Sequence, residues 1–245
     1  TDLLPFADMA LGFFSRDSTT PVIMASMWMV WAWMATALTR LVYYTFNFFG
    51  WHRTGVFLAT AVAALLVVGA TAGRTRLRIS RVEVCSERLP KAFDGARIVQ
   101  LSDLHLGTIV RPERELTRLV DSINALRPDW VVFTGDMVNI RAEELDERAA
   151  RLLGRIKAPV YSVTGNHDIG AYIKDSLHHP MEENLHEVIA RQRAMGWQVL
   201  DDETCYLHRG GDSISLTGFS FDPALRLLRH RGDLPATGLD RAVAG

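Results

Sequence analysis

Three short clusters of polar residues have the types and the spacing of a metal site. In chain order they are Asp103 with His105, then Asp136, then the run of Asn166, His167 and Asp168. Carboxylate, imidazole and carboxamide groups suit manganese, iron or zinc better than copper(I). Because a carboxylate has two oxygens, one Asp can bridge two ions, and such a pair can hold the attacking and leaving oxygens of a displacement at phosphorus. A lone Asp-x-His is usually a turn or a cap, so the prediction depends on all three clusters together.

Each cluster follows directly on an apolar run that is typical of a β-strand. The runs cover residues 98–101, 130–133 and 160–163, and helical patterns over 112–126 and 142–156 separate them. This β-α-β-α-β order predicts a parallel sheet with right-handed crossovers, and the continuously apolar strands predict that both of its faces are covered. In such sheets ligands bind at the carboxyl ends of the strands. The three clusters are therefore expected to meet at one edge of one sheet.

The clusters and their flanks resemble the calcineurin-like metallophosphoesterase superfamily. The segments SDLHLG (102–107), TGDMV (134–138) and TGNHD (164–168) look like its first three motifs, and the likeness covers roughly residues 94–222. A hydrophobic region ahead of RIVQLSDLHLG, together with the later SISLTGFSFDP, is similar to the bacterial membrane-anchored branch. The resemblance implies an α/β fold, a two-sheet β-sandwich flanked by helices, incomplete in this sequence and preceded by transmembrane helices.

The resemblance also implies a set of metal ligands. Asp103 and His105 resemble ligands of a first ion, Asp136 resembles the carboxylate that bridges two ions, and Asn166 resembles a ligand of the second. Two divalent ions, drawn from manganese, iron, zinc or nickel, are implied as cofactors. The implied reaction is hydrolysis of a phosphodiester, a phosphomonoester or a pyrophosphate.

Two further residues resemble the family's catalytic groups, and one motif departs from the pattern. His167 resembles the histidine that contacts the phosphate and protonates the leaving oxygen, and Asp168 resembles the residue that orients it. The family completes its site with a histidine after a further strand and with a Gly-His-x-His motif, and neither is present here. The expectation is that these groups would follow Gly245, and that residues 1–245 alone would be inactive.

The first part of the chain has the character of a membrane segment. Residues 18–39 and 54–73 are uncharged stretches of 22 and 20 residues, and a spanning helix needs about 20. We predict two transmembrane helices at about 21–46 and 54–73, with an aromatic-rich connector that suits the bilayer interface. Burial of both helices in a large soluble protein is the alternative. A signal peptide fits less well, because no basic region precedes the first stretch.

The arginines predict the orientation of this membrane region. Four of them follow the second stretch closely: Arg74, Arg76, Arg78 and Arg81. The positive-inside rule then places the following domain in the cytoplasm, on a multi-pass protein of the bacterial inner or plasma membrane. The predicted division is a membrane region over 1–73 and a metallophosphoesterase domain over 74–245. The segment RISRVEV (78–84) also has the alternation of a strand, with one slip, and both interpretations can hold together.

Composition excludes several other classes of protein. Charged residues number 27 basic and 28 acidic, but only six of them lie in the first 73 residues, so a single soluble domain is excluded. A content of 48% hydrophobic residues excludes a disordered chain. No basic excess supports nucleic-acid binding. Two isolated cysteines, Cys85 and Cys205, are too few for a disulfide framework or a zinc cluster.

Two functional hypotheses stay open at this point. The first is a membrane-anchored, two-metal phosphohydrolase whose phosphoester substrate is held in or near the bilayer, including a lipid-linked substrate. The second is a non-catalytic membrane protein that retains part of a metal site. Nucleotide-binding loops are a weaker third interpretation, because neither G-x-G-x-x-G nor G-x-x-x-x-G-K-[ST] occurs. The sequence does not predict the oligomeric state.

Overall fold

A computed structural model describes residues 20–70, 77–109, 111–170, 172, 181–219 and 221, with side chains from residue 28 onward in the first of these ranges. Arg74 and Arg76 of the predicted orientation signal lie outside the described residues. The chain divides into two compact units, residues 1–82 and 83–245. Each unit is a separate body with its own packing.

The first unit contains two helices joined by a tight turn. Helix α1 covers Thr20–Phe48 and helix α2 covers His52–Val68. Gly50 takes a left-handed φ of 77° in the turn, which glycine tolerates without steric cost. A Cβ on Gly55 would lie 3.1 Å from the Cβ of Phe46, so the missing side chain lets the two helices meet beside the turn. Both predicted helices are thus present; the second begins two residues earlier than expected, at His52, and residues 71–73 of its predicted span lie outside the described residues.

The transmembrane part of the prediction is not confirmed by these helices. In the part of the chain that the structure describes, no helix combines the length and the apolar character needed to cross a bilayer.

In its described residues the second unit alternates strands and helices and then forms a hairpin. Short 3₁₀ turns at Lys91–Phe93, Leu106–Thr108 and Ala142–Glu144 lie between the regular elements. The regular elements are, in chain order, β1 (Ile98–Leu101), α3 (Pro112–Leu126), β2 (Trp130–Thr134), α4 (Glu147–Leu153), β3 (Val160–Val163), α5 (Met181–Ala194), β4 (Gln198–Val199), β5 (Thr204–Arg209) and β6 (Asp212–Thr217). The three predicted strands lie where the apolar runs indicated.

Strands β1 to β4 form a parallel sheet in the order β1-β2-β3-β4, and β5 pairs antiparallel with β6 in a second sheet. In the parallel sheet Leu101 pairs with Phe133, and Thr134 pairs with Val163. The carboxyl ends of β1, β2 and β3 are therefore side by side. This arrangement confirms the predicted α/β fold with a parallel sheet.

The two faces of the parallel sheet are covered by different elements. Residues Leu116, Val120 and Ile123 of α3 belong to one buried cluster with Val131 and Phe133 of β2. Their spacing of three and four places them on one face of the helix. On the opposite face, Trp130 packs with Phe93 and with Leu207 of the hairpin. The second face is covered only in part, because Ile98 of β1 is 51% exposed, so the prediction of a sheet covered on both faces is confirmed for one face.

Two local predictions were wrong. The helix expected over 142–156 is instead a 3₁₀ turn followed by the shorter α4, because the Asp146 side chain caps a new helix by accepting the N–H of Ala149 at 2.7 Å. The strand expected over 78–84 is absent: these residues have no regular secondary structure, and Val82 and Val84 are exposed. An alternating pattern cannot form a strand without a neighbour to pair with, and no described strand pairs with this segment.

Candidate metal centre

Loops after β1, β2 and β3 build the site, and backbone hydrogen bonds join the first two. The N–H of Asp103 donates to the carbonyl of Gly135 at 3.0 Å, and the N–H of His105 donates to the carbonyl of Asp136 at 3.1 Å. A third bond from Leu106 to Met137 continues the pattern. The loops therefore extend the pairing of β1 with β2 beyond the sheet, and this extension fixes the spacing of the polar residues.

Three of the predicted ligands have an unusual backbone conformation. Asp103, His105 and Asp136 have φ values of 55°, 41° and 60°, in the left-handed region that residues with a Cβ rarely adopt. Such a conformation costs on the order of 1–3 kcal/mol per residue and persists only where the surroundings enforce it. Strain concentrated on three neighbouring polar residues is typical of a functional site.

Two glycines let the second and third loops touch. A Cβ on Gly135 would lie 2.7 Å from the nitrogen of Gly165, and a Cβ on Gly165 would collide with the Asp136 carboxylate. Gly135 also has a φ of 98°. Glycine is therefore required at both positions for the backbone to pass this close to Asp136.

Three side chains of the site converge closely: those of His105, Asp136 and His167. Ligand atoms of His105, Asp136 and His167 all lie within 4.8 Å of one another, and each residue is half-buried. The Nε2 of His105 is 3.9 Å from Oδ2 of Asp136 and 3.6 Å from Oδ1 of Asp103. These separations are too long for hydrogen bonds. They are close to the distance between two ligand atoms that bind the same ion, each at about 2.0–2.2 Å.

The two ring nitrogens of His105 have different surroundings. Its Nδ1 is buried and has no hydrogen-bond partner among the described residues. The nitrogen that faces Asp103 and Asp136 is Nε2, so Nε2 is the atom that would bind an ion. An imidazole with a carboxylate oxygen on each side, from Asp103 and Asp136, is a donor set for zinc, manganese, iron or nickel. The residues present thus fit a divalent metal ion.

Asn166 lies in the same third loop and makes one contact that the sequence did not predict. Its amide nitrogen donates to the hydroxyl of Tyr172 at 3.1 Å. The ring of Tyr172 stacks on the ring of His167, with centroids 4.4 Å apart. Tyr172 therefore touches two predicted site residues at once.

His167 is oriented by a group other than the one expected. Its Nδ1 lies 2.7 Å from the carbonyl oxygen of Asn139, and its ring meets the His105 ring edge-on with centroids 4.5 Å apart. The contact with Asn139 fixes a tautomer with the hydrogen on Nδ1 when the ring is neutral. The expectation that Asp168 would orient His167 is not what the described contacts show.

Asp168 instead binds the backbone of the loops after β2 and β3. Its fully buried carboxyl group accepts the N–H groups of Asp136 at 3.0 Å, Val138 at 3.1 Å and Gly165 at 2.9 Å. Burial raises the pKa of Asp168 to about 6, against the opposing effect of these hydrogen bonds. The partner of an Asp in a loop depends on how that loop folds, and adjacency in sequence to His167 did not predict it.

A second carboxylate, that of Glu144, binds the loop after β1 and the loop after β2. It accepts backbone N–H groups from Gly107, Asn139, Ile140 and Arg141. No sequence pattern predicted this role, because an acid in the first turn of a predicted helix is usually solvent-exposed. Asn139, Glu144 and Tyr172 are the residues around the site that the sequence did not predict.

Comparison with known proteins places this site in a family. Residues 96–235 match the calcineurin-like phosphoesterase family. The chain is 37% identical over 188 residues to a transmembrane protein with metallophosphoesterase domain from Danio rerio, covering 75% of this chain and 40% of that protein. It is 36% identical over 126 residues to UDP-2,3-diacylglucosamine pyrophosphatase LpxG of Chlamydia trachomatis, covering 49% of this chain and 38% of the relative.

A third relative is the metallophosphoesterase YkuE of Bacillus subtilis, 34% identical over 126 residues, or 48% of this chain and 44% of the relative. The chain spans about two fifths of the length of these curated relatives. No solved structure matches the chain. Calcineurin-like phosphoesterases use divalent metal ions, in agreement with the donor set described above. The chain belongs to the calcineurin-like phosphoesterase family of metallophosphoesterases.

Proposed function

We propose that the whole protein is a membrane-anchored hydrolase of phosphoesters or pyrophosphates that works with two divalent metal ions. The observation that carries the proposal is the convergence of His105, Asp136 and His167 within 4.8 Å at the carboxyl ends of three parallel strands. Membership of the metallophosphoesterase family supports the same reaction class.

Four residues would hold the metals in this proposal. Asp103 and His105 would bind one ion, Asn166 the other, and Asp136 both. The two oxygens of Asp136 support a shared role, because Oδ1 is held by the N–H of His167 at 2.9 Å while Oδ2 faces His105. When bound, two such ions would offset the charge of the phosphoryl oxygens and supply a water nucleophile near neutral pH.

His167 would contact the phosphate and act as the general acid. Its Nδ1–H donates to the carbonyl of Asn139, so in the protonated ring Nε2 is the nitrogen that can give its proton to the leaving oxygen, which leaves the neutral Nδ1–H form. Stacking on Tyr172 and the edge contact with His105 restrict rotation of the ring. Asp168 would act as a positioning residue, since it holds the loops that carry Asp136 and His167.

The Asn166 amide would be aimed by Tyr172. Its nitrogen donates to the tyrosine hydroxyl, so its oxygen is the atom left to bind a metal.

The name of one relative and the surface of the first unit support a lipid-linked substrate. One relative is named as a pyrophosphatase of a diacylated, nucleotide-linked sugar. In the first unit Phe57 and Leu65 are 71% and 72% exposed, an apolar surface that needs a cover. Together with the uncharged stretches at 18–39 and 54–73, this surface supports an anchor over 1–73, a metallophosphoesterase domain over 74–245, and a site on the cytoplasmic side of the membrane.

The test uses the full-length protein in detergent with three substrates: an aryl phosphate monoester, an aryl diester, and a nucleotide-linked acylated sugar with a pyrophosphate bond. We expect hydrolysis of at least one, lost after chelation and restored by manganese, zinc, nickel or iron. A pyrophosphate substrate with its acyl chains removed is expected to react more slowly. Metal binding without hydrolysis of any substrate would instead favour the non-catalytic membrane protein, and hydrolysis unaffected by chelation would contradict the metal mechanism.

A further inference from the structure

We infer that Glu144 is a positioning residue for the site: its carboxylate fastens the loop after β1 to the loop after β2 and thereby holds the Asn139 carbonyl against His167. This inference rests on the proposed function, since it assigns a role within the same site. Glu144 is in neither the predicted ligand set nor the predicted catalytic pair.

The two oxygens of Glu144 divide four backbone N–H groups between them. Oε2 accepts from Gly107 at 3.0 Å and from Asn139 at 2.5 Å. Oε1 accepts from Ile140 at 3.1 Å and, more weakly, from Arg141 at 3.4 Å. Gly107 comes two residues after His105, and Asn139 comes three residues after Asp136. One side chain therefore bridges the segments that carry two predicted ligands.

These contacts need a carboxylate and not merely a polar side chain. An ionised carboxylate has only acceptors, whereas a glutamine amide would turn its NH₂ group toward two N–H donors. Hydrogen bonds to a charged acceptor are also roughly twice as strong as neutral ones. A neutral amide at position 144 would lose the hydrogen bonds to one pair of N–H groups, even though its size is almost unchanged.

The link to chemistry passes through Asn139. Its N–H is held by Glu144, and its carbonyl oxygen lies 2.7 Å from Nδ1 of His167. If the Glu144 contact is lost, residue 139 is free to rotate and His167 loses the group that fixes its tautomer and direction. Glu144 would thus affect proton transfer without touching the substrate.

The neighbouring Glu143 supplies a matched control, because it is exposed and its loss changes the net charge by the same amount. We expect Glu144→Gln to lower kcat about 10- to 100-fold for substrates with poor leaving groups, a part of the 10²–10⁴-fold that a general acid contributes. The loss with a nitrophenolate leaving group should be several-fold smaller. Glu143→Gln should resemble the wild type with both substrates, and Glu144→Asp should recover part of the loss.

A double variant separates positioning from general support of the fold. Adding Glu144→Gln to His167→Ala should cause no further loss with poor leaving groups, because both changes remove the same proton transfer. Equal losses for all leaving groups, or losses that add to those of His167→Ala, would overturn the inference. If Glu144→Gln does not fold, the comparison is made with Glu144→Asp, whose shorter side chain must show the same leaving-group dependence.

A readout without turnover distinguishes this inference from the proposed function. Nitrogen chemical shifts of the His167 ring in the full-length protein should show the Nδ1–H tautomer in the wild type and in Glu143→Gln, and a mixture of tautomers in Glu144→Gln. An inactive wild type with these shifts would contradict the proposed hydrolase but retain the role of Glu144 in orienting His167. Unchanged shifts in Glu144→Gln would overturn the inference whether or not the protein is active.

Discussion

The backbone N–H of His167 donates a 2.9 Å hydrogen bond to Oδ1 of Asp136, and this bond joins the loop after β3 to the loop after β2. Only the absence of a side chain at Gly165 permits the approach. With Oδ1 held in this way, Oδ2 is directed toward His105. The position of the central carboxylate is therefore set by the protein backbone before any ion binds, which reduces the reorganisation that metal binding requires.

Replacement of His167 should separate metal binding from proton transfer. We expect His167→Ala to keep bound metal but to lose about 10²–10⁴-fold in kcat for poor leaving groups, and less for nitrophenolate, which needs no proton. Steady-state kinetics over a series of leaving groups gives the measurement. His208→Ala, an exposed histidine of β5, is the control. Equal losses across the series would mean that His167 only binds the phosphate.

Two variants of Tyr172 should separate the effect of its hydroxyl from the effect of its ring. Tyr172→Phe keeps the ring on His167 but removes the hydroxyl that accepts from Asn166, so metal affinity is expected to fall by about 10-fold while leaving-group dependence is retained. Tyr172→Leu removes both contacts and should also lower kcat. Metal titration followed by kinetics checks this, with Tyr206→Phe on β5 as the control. Unchanged metal affinity in Tyr172→Phe would show that the hydroxyl does not aim the Asn166 amide.

Elements with their own local signals were predictable from the sequence. The helix over Pro112–Leu126 begins with a proline at its first position and buries Leu116, Val120 and Ile123 on one face, so pattern and boundary agree. The three strands are short apolar runs, and the polar residue types that follow them lie together because parallel strands end at one edge.

Features set by contacts between distant residues were not predictable. Glu144 lies in a helical sequence pattern, but its side chain accepts four N–H groups from two loops. The expected helix therefore begins only at Glu147. Asp168 is next to His167 in sequence, yet its carboxyl group is drawn to three N–H groups that become available only when the loops meet. Such partners are created by tertiary structure and leave no periodic signal.

Burial of Asp168 should make stability depend on pH. Its pKa is about 6 in the folded protein against an ordinary 3.8, so the folded state retains a proton that the unfolded state has lost between these values. The free energy of unfolding of the metal-free protein should therefore fall as pH rises from about 4 to 6, by on the order of 2 kcal/mol from this group.

Urea unfolding at several pH values, compared between wild type and Asp168→Asn, provides the measurement. The variant cannot ionise at this position, so its stability should decline less over the same range. Parallel pH profiles for the two proteins would show that Asp168 does not carry the effect.

The anchor and its orientation can be tested with a native cysteine. Cys85 is exposed and Cys205 is half-buried. In a full-length variant whose only cysteine is Cys85, an impermeant thiol reagent should fail to label the protein in intact cells. The same reagent should label it once the cells are permeabilised. Labelling of intact cells would place the domain outside, and recovery of the protein without membranes would contradict the anchor.

The most direct test of the two-metal account is Asp136→Asn in the full-length protein, with bound metal and turnover measured on the same sample. Asp136 is the residue through which both ions would be held, so we expect metal content to fall below that of any other single ligand variant and activity to drop at least about 100-fold. Asp121→Asn, an exposed change on α3, should leave both quantities unchanged. Full metal content with activity within a few-fold of wild type would contradict the account.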